Sequence, residues 1–327
     1  FKFPSPLDFA EDEQLGIWAI VNQIVSYLMW MDFGVSNATG RMMAGAIIRN
    51  DQEEINKWWT ASLLILGALS VTAAVGGICL TQSFIETYDV SQTLQNEVAW
   101  LFALSCVMAS MNLVVKVFPG ILIAHNRFHW VSFLQGLQPW VQLIVMSLCL
   151  WGGAGLIAYP IANGIVLLVS VIFYFVIMRR SHIRLQFNFT GLTKSRYLPL
   201  LSYSGSSFAL GLGMTVVVSA PVLIIGKQLG VAIVPIYVFT SRIPSIVRSL
   251  VLRTRQAFYP QLQSLYVKKE MSAFRKCFYK SMNYSLMMVL ATSFVILLLN
   301  KTIISLLGAD QYYGGLWLTA WILFGNF

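Results

Sequence analysis

The chain has 327 residues, of which 57% are hydrophobic and 11% are charged, and its mean hydropathy is +0.70. Soluble domains are about one quarter charged, so this composition excludes a single water-soluble domain and indicates a polytopic membrane protein. In a soluble protein the net charge of +9 would indicate nucleic-acid binding, but here it must first be assigned to loops.

The hydrophobic residues form nine stretches, each close to the roughly 20 apolar residues that a helix needs to cross a bilayer. We therefore predict an all-α fold, because a helix satisfies its own backbone hydrogen bonds in lipid. The sequence begins without Met and ends inside the ninth stretch, so we expect it to be part of a longer chain. The predicted spans are 15–33, 59–80, 98–124, 130–151, 155–178, 202–226, 231–251, 278–299 and 312–327.

Basic residues are concentrated in loops that share one side of the membrane. Sixteen of the 22 Lys and Arg residues fall in these loops, and only Lys2, Lys227 and Lys301 fall in loops of the other side. Basic loops stay in the cytoplasm, which places the acidic N-terminal segment outside. The net charge is then an orientation signal, and we expect no nucleic-acid partner. The four basic loops are 38–58, 125–129, 179–201 and 252–280.

A weak internal repeat accompanies this pattern. Leu15-Gly16 opens the first span, and Leu229-Gly230 precedes the span that comes six spans later. An even number of spans keeps both copies in the same orientation, which suits a parallel repeat about an axis along the membrane normal. With the boundary in the connection 179–201, we predict an N-terminal lobe at 1–185 and a C-terminal lobe at 186–327.

Three basic residues lie within predicted spans. Arg242 is 11 residues into its span, about 17 Å at 1.5 Å per residue, near the middle of a hydrocarbon core about 30 Å thick. An Arg there costs at least about 2.5 kcal/mol, which favours a wet cavity over a packing role. Lys116 and Arg248 are closer to the cytoplasmic ends, so for both a cavity role and snorkelling to the interface stay open.

Uncharged polar residues occur at helical spacing within the spans. Asn112 precedes Lys116 by one helical turn, and Pro119 predicts a kink. The glutamines between 135 and 142 can bond sugar hydroxyls or a neighbouring helix, the second being the commoner use. We predict cavity positions for Arg242, Lys116, Arg248, Asn112, Gln135 and Gln138, and conformational or interface positions for Asp32, Arg41 and Pro119.

The sequence has no arrangement of residues typical of catalysis. The four cysteines lack paired spacing, which predicts inert thiols. His125 and His129 share a loop without a carboxylate partner, so a plain loop is favoured over a metal site. The acidic cluster at 11–13 is more typical of a solvated loop than of a glycosyltransferase metal motif. We predict a protein that is not an enzyme and has no cofactor, with a coupling ion, H⁺ or Na⁺, left open.

Several local motifs resemble those of one family. Three motifs near the start of the chain together resemble the second span of polysaccharide flippases. They are Glu11-Asp12-Glu13-Gln14-Leu15-Gly16-Ile17-Trp18, Asp32-Phe33-Gly34 and Ser36-Asn37-Ala38-Thr39-Gly40-Arg41. Residues 118–127 are similar to the end of their fourth span. Tyr237, Arg242 and Pro244, with Tyr259-Pro260 downstream, resemble their eighth span. These flippases are the O-antigen and lipid-linked oligosaccharide translocases of the multidrug/oligosaccharidyl-lipid/polysaccharide exporter (MOP) superfamily.

The resemblance implies two six-helix lobes around a central cavity, working by alternating access. This chain would hold spans two to ten of a protein with 12 or 14 spans. The family's cavity is typically lined with cations that meet the phosphates or acidic sugars of an undecaprenyl-linked substrate. Arg242 matches that role best by position, and Lys116 and Arg248 are carried over more weakly.

We therefore predict a multi-pass protein of the bacterial cytoplasmic (inner) membrane that flips undecaprenyl-linked oligosaccharide to the periplasmic leaflet. Arg242, with Lys116 or Arg248, would hold the pyrophosphate. Gln135, Gln138 and Asn112 would contact sugar hydroxyls. The expected partners are membrane lipid and the polyprenyl-pyrophosphate-linked oligosaccharide, with polysaccharide polymerase machinery as a further candidate. Two alternatives stay open: a cation-coupled multidrug exporter, which would need an intramembrane acid, and a membrane-embedded glycosyltransferase or polymerase, which would need a larger external loop.

Overall fold

The computed structural model describes residues 12–189 and 205–326, and this part of the chain contains helices and no strand. Short 3₁₀ turns precede α8, α10 and α13. The helices are α1 (Asp12–Leu28), α2 (Val35–Ile48), α3 (Gln52–Cys79), α4 (Thr81–Thr87), α5 (Gln95–Val115), α6 (Val117–Ala124), α7 (Phe128–Trp151), α8 (Ala158–Arg180), α9 (Gly205–Gln228), α10 (Val234–Ala257), α11 (Tyr259–Val267), α12 (Met271–Leu306) and α13 (Gly315–Asn326).

The all-α polytopic fold class is confirmed. Within the described residues, seven helical segments are long and apolar enough to cross a membrane, and they coincide with seven of the nine predicted spans. The first and last predicted spans are also helical, but α1 has only 17 residues and α13 only 12. The seven segments are Gln52–Cys79, Gln95–Ala124, Phe128–Trp151, Gly155–Arg180, Gly211–Gln228, Val231–Ser249 and Met271–Leu306.

The segment predicted to be the first basic loop, 38–58, is largely helical: α2 covers it up to Ile48, and α3 begins at Gln52. The expectation of an irregular loop is wrong, and the side of the membrane for its basic residues stays a prediction. Val35, Met43 and Ala46 of α2 are buried in a hydrophobic cluster that also contains Trp59 of α3 and Ile121 of α6. The sequence of α2 resembles a loop because it is rich in small and polar residues. Such residues also suit close packing between helices, and this is how α2 uses them.

The chain divides into two compact units, Phe1–Val231 and Ala232–Phe327. Helix α9 belongs to the first unit because it packs along α1, where Phe208 lies 4.9 Å from Phe33 between ring centroids and Ser219 Oγ lies 3.4 Å from Ser26 Oγ. The compact units thus part at 231/232, whereas the sequence predicts lobes that part at 185/186. The lobes themselves stay a prediction.

An extended segment follows α8 and lies along the beginning of α3. Gln52 Nε2 donates to the carbonyl of Arg184 (2.6 Å), Asn56 Oδ1 accepts from the N–H of Gln186 (3.1 Å), and Thr60 Oγ1 accepts from the N–H of Asn188 (2.9 Å). These three α3 side chains are four residues apart and so share one helix face. They satisfy backbone groups of a segment that has no secondary structure of its own.

The second unit is held together around Asn300 of α12, which is fully buried. Its side-chain Nδ2 donates to the carbonyl of Thr240 in α10 (3.1 Å) and to the hydroxyl of Thr319 in α13 (3.2 Å). Thr240 Oγ1 accepts in turn from the N–H of Gly314 (2.8 Å). One amide therefore joins α10, α12 and α13.

Candidate functional site

The chain between α1 and α2 is not helical. Residues 29–34 form successive turns, and Phe33 (φ 46°) and Gly34 (φ 75°) both have left-handed backbone conformations. Phe33 N donates to the carbonyl of Trp30 instead of the carbonyl of Met29, which a continuous α-helix would use. The break therefore takes the Met29 carbonyl out of the helical hydrogen-bond pattern.

A second break separates α5 from α6 at Lys116, inside one membrane-crossing segment. Pro119 lies in the first turn of α6. A proline has no N–H, and its ring crowds the carbonyl four residues earlier, here that of Val115. Lys116 itself keeps a right-handed helical backbone (φ −58°, ψ −17°), and its N–H still donates to the carbonyl of Asn112 (3.1 Å). The interruption is therefore one residue wide, and the kink at Pro119 stays a prediction.

Lys116 joins the two breaks. Its Nζ donates to the carbonyl of Met29 and lies 3.8 Å from Oδ2 of Asp32. Asp32 is only 6% exposed, and its other oxygen, Oδ1, accepts from the N–H of Gly34 (3.2 Å). A buried carboxylate is costly unless it is paired and hydrogen-bonded, and here it is both.

Beyond the breaks, α2 and α6 approach each other at Gly40 and Gly120. A Cβ on Gly120 would lie 2.8 Å from the carbonyl oxygen of Ser36, and a Cβ on Gly40 would lie 3.1 Å from the carbonyl oxygen of Gly120. Neither position has room for a larger residue without a shift of backbone. The backbones of α2 and α6 are therefore in direct contact at these two glycines.

Other predicted cavity residues of the first unit have different surroundings. Gln138 Nε2 donates to the hydroxyl of Ser170 in α8 (2.9 Å), the helix–helix use that competes with a sugar contact. Gln135, on the same helix, is exposed, and Asn112 is half-buried on α5. Arg41 is exposed on α2 and takes part in an interaction there.

Arg242 and Arg248 belong to the second unit, on α10. Arg242 is exposed and lies within the membrane-crossing segment Val231–Ser249, as its position in the sequence predicts. Arg248 is half-buried and has an interaction partner. Tyr237 is half-buried and Pro244 is buried. Glu11, Lys194 and Arg196 lie outside the described residues, as do the side chains of Arg253, Arg255, Tyr259 and Pro260.

The structure thus brings two predicted residues together, Lys116 and Asp32, and Pro119 follows Lys116 by three residues in α6. The sequence does not predict this group, because it places Asp32 at the cytoplasmic interface. The signal that could have found it is the motif Asp32-Phe33-Gly34, in which an acid precedes a glycine that can end a helix.

Comparisons with known proteins agree with the fold. The chain has a TM-score of 0.81 to an inward-facing multidrug resistance MATE family transporter of the MOP superfamily, with 14% identity over 97% of this chain and 72% of that one. The TM-score is 0.67 to the outward-facing conformation of a MATE transporter, with 14% identity, 95% of this chain and 69% of that one. A MOP superfamily transporter from Pyrococcus furiosus, with a binding pocket of reverse polarity, has a TM-score of 0.67 and 16% identity over 95% of this chain and 69% of that one.

No curated protein sequence matches the chain significantly. The sequence profile of a family described as polysaccharide biosynthesis protein matches residues 9–316, which is nearly the whole chain. The resemblance to MOP superfamily flippases is therefore confirmed at the level of family and fold. The chain belongs to the polysaccharide biosynthesis protein family and has the fold of the MOP superfamily transporters.

Proposed function

We propose that the protein flips an undecaprenyl-linked oligosaccharide from the cytoplasmic to the periplasmic leaflet by alternating access, for cell-surface polysaccharide biosynthesis. The observation that carries this proposal is the match of a polysaccharide biosynthesis family to nearly the whole of a chain with a transporter fold. A transporter fold serves polysaccharide biosynthesis most directly by moving its lipid-linked intermediates. The bacterial cytoplasmic membrane is the site where this substrate is made available.

Arg242 is the residue best suited to receive the pyrophosphate. It is exposed inside a membrane-crossing segment, whereas Lys116 already contacts the Met29 carbonyl and Asp32. An Arg binds phosphate oxygens with two parallel hydrogen bonds and keeps its charge at every physiological pH. An arginine within a membrane span costs free energy, and binding of an anionic substrate would offset that cost.

The residues predicted to contact sugar differ in whether their side chains already bond to a neighbouring helix. Gln135 is exposed and Asn112 is half-buried, and on this proposal their amides contact the sugar hydroxyls. Gln138 is engaged with Ser170. The polyprenyl tail would stay in lipid because its transfer out of lipid would lose the hydrophobic free energy of a long chain.

A multidrug exporter is the second candidate, and the fold likeness to MATE transporters favours it. Such a protein would need an acid at membrane depth, and Asp32 is one. Its carboxylate, however, is paired with Lys116 and bonded to Gly34 N, so it offers no free charge to an organic cation. The solved relative with reverse pocket polarity illustrates that this fold also carries other functions.

The test of the proposal is replacement of Arg242 in cells whose only copy of the protein carries the variant. We expect Arg242→Ala to lower surface glycan at least tenfold, because a hydrogen bond to a charged group contributes about 1.5–3 kcal/mol. Arg242→Lys should retain part of the activity. Arg275→Ala, which removes an exposed arginine from the first turns of α12, is the matched control and should change nothing.

Expression of each variant is measured by immunoblot of the membrane fraction. Normal surface glycan in Arg242→Ala at normal expression would contradict the role of Arg242. A defect in drug resistance with unchanged glycan would instead support the multidrug exporter.

A further inference from the structure

We propose that Lys116 is a latch between two broken helices, and that the anionic head group of the substrate opens the latch by taking the lysine. With the latch closed, the breaks at 29–34 and at 116 are held together. With the latch open, α1–α2 and α5–α6 straighten together. The identity of the opening ligand rests on the proposed function, whereas the latch itself rests on the contacts of the first unit.

The first argument concerns the relative chain direction of α1–α2 and α5–α6. Glu13 Oε1, at the start of α1, accepts from the N–H of Ser91 (3.0 Å), which lies shortly before α5. Met29, after the end of α1, is bonded to Lys116 at the end of α5, and Gly40 of α2 meets Gly120 of α6. The pair α1–α2 therefore runs beside α5–α6 in the same direction, with both breaks at the same level.

The second argument concerns what keeps the α1–α2 break open. A broken helix leaves carbonyl groups without their helical N–H donors, and in a membrane such groups need another donor. The ammonium of Lys116 supplies that donor to the Met29 carbonyl, and Asp32 supplies its counter-charge. Without the lysine, the lowest-cost partner for the Met29 carbonyl is the N–H of Phe33, which restores a continuous helix.

The third argument concerns coupling. Lys116 is itself the residue between α5 and α6. When its side chain loses its contacts with α1–α2, the surroundings of both breaks therefore change. The close approach of Gly40 and Gly120 packs α2 directly on α6, so a movement of α2 toward α6 must displace α6. Two kinked helices with their kinks tied at one side chain form an element with two discrete arrangements, which a ligand can bias.

The fourth argument concerns the ligand. Lys116 is held by a single carboxylate at 3.8 Å, too long for a hydrogen bond, and by a neutral carbonyl. A pyrophosphate offers the ammonium several charged oxygens at once, so it competes well for the lysine. The released Asp32 keeps its hydrogen bond from Gly34 N and stays partly satisfied.

The experiment measures distances by double electron–electron resonance on the purified protein in lipid nanodiscs. One pair of spin labels, at Asp12→Cys and Ile48→Cys, reports the length of α1–α2. The other, at Gln95→Cys and Ile123→Cys, reports the length of α5–α6. All four positions are exposed, and the four native cysteines, all free, are replaced beforehand. The variants are Lys116→Met, Asp32→Asn and the conservative Lys116→Arg.

We expect Lys116→Met to lengthen the mean distance of both pairs, and Asp32→Asn to do so to a smaller extent. Lys116→Arg should stay close to the wild type, because Arg can reach the same two acceptors. Lys57→Met is the matched control: Lys57 is also ion-paired, with Glu53 four residues earlier on α3, but its pair joins no two elements. Undecaprenyl pyrophosphate should lengthen both distances in the wild type and add nothing in Lys116→Met.

Unchanged distances in both Lys116→Met and Asp32→Asn would overturn the latch, and so would a shift in one pair alone. If the distances shift in Lys116→Met but do not change when undecaprenyl pyrophosphate is added to the wild type, opening by the substrate is overturned. If Arg242→Ala still abolished glycan export in that case, the proposed function would stand and only the opening step would fall. Elution of each variant as a single monodisperse peak separates these outcomes from misfolding.

Discussion

Lys116, Gln138 and Arg242 are all polar residues within membrane-crossing segments, yet their side chains have different surroundings. Lys116 contacts a carbonyl and a carboxylate from a broken helix, Gln138 bonds a hydroxyl of the next helix, and Arg242 is exposed. A polar side chain in lipid takes the nearest partner because no water competes for it. The position of a polar residue within a predicted span thus identifies residues that need a partner. The fold decides whether that partner is protein or substrate.

Gln138 provides a direct measure of this competition. We expect Gln138→Leu to destabilise the protein by about 0.6 kcal/mol, and by no more than about 1.7 kcal/mol, as for other hydrogen bonds between helices in membranes. Ser170→Ala should cost a similar amount, and the double variant should cost less than the sum of the two. The measurement is a double-mutant cycle on unfolding of the detergent-solubilised protein.

Gln135→Leu is the control for this cycle, because Gln135 is exposed and lies one turn earlier on the same helix. It should leave stability unchanged. If Gln138→Leu left stability unchanged as well and abolished glycan export, Gln138 would be a substrate contact and the helix–helix bond would be incidental.

The sequence predicts which residues of the candidate site are unusual but not how they pair. The depth of Lys116 and the kink near Pro119 follow from spacing along one helix. The contact between Lys116 and Asp32 joins residues 84 positions apart and depends on a helix break at Phe33 and Gly34. The predicted span ends at residue 33, so the apolar pattern places a membrane interface where the chain instead breaks and continues as α2.

At the scale of helices, the positions of the long spans follow from hydrophobicity, since a span needs enough apolar residues to cross the bilayer, whereas their exact bounds do not. Helix α2 and the extended segment after α8 do not follow from it. Both are stabilised by tertiary contacts: α2 packs between α3 and α6, and the extended segment is bonded by side chains of α3. Segments whose conformation depends on a neighbour carry little local signal.

Two adjacent glycines of α3 test how tightly its helices pack. A Cβ on Gly77 would overlap the Cβ of Cys106 in α5, whereas a Cβ on Gly76 would meet nothing within 4 Å. We expect Gly77→Ala to destabilise the protein by about 1–3 kcal/mol through overpacking. Gly76→Ala should be neutral or stabilising by up to about 1 kcal/mol, because Ala favours the helix over Gly.

Thermal unfolding of both variants in the same detergent measures the difference. The two changes add the same methyl group to neighbouring positions of one helix, so helix propensity and composition cancel in the comparison. Equal melting temperatures for the two variants would contradict the close approach of α3 and α5.

At the scale of the whole molecule, the charge distribution sets orientation and the family sets the biological context. The loops 125–129 and 179–201 and the segment after α10 carry basic residues, while the charged residues between α3 and α5, Glu86 and Asp89, are both acidic. Helix α12 has 36 residues, about 54 Å at 1.5 Å per residue, which exceeds a hydrocarbon core of about 30 Å. Its first turns, with Arg275, Lys276 and Lys280, therefore extend beyond the core on the basic side.

This orientation predicts which loops a reagent can reach from outside the cell. Gln92 lies between α4 and α5 and Lys268 directly after α11, and both are exposed. In a cysteine-free background, we expect a membrane-impermeant maleimide to label Gln92→Cys in intact spheroplasts and Lys268→Cys only after permeabilisation. Both sites should label in detergent, and the background should not label at all.

The reverse pattern would invert the orientation and place the basic loops outside, where cytoplasmic retention of positive charge could no longer explain their composition. Labelling of both sites from outside would mean that an odd number of spans does not separate the two loops, and would contradict the assignment of α5, α7, α8, α9 and α10 as five successive crossings.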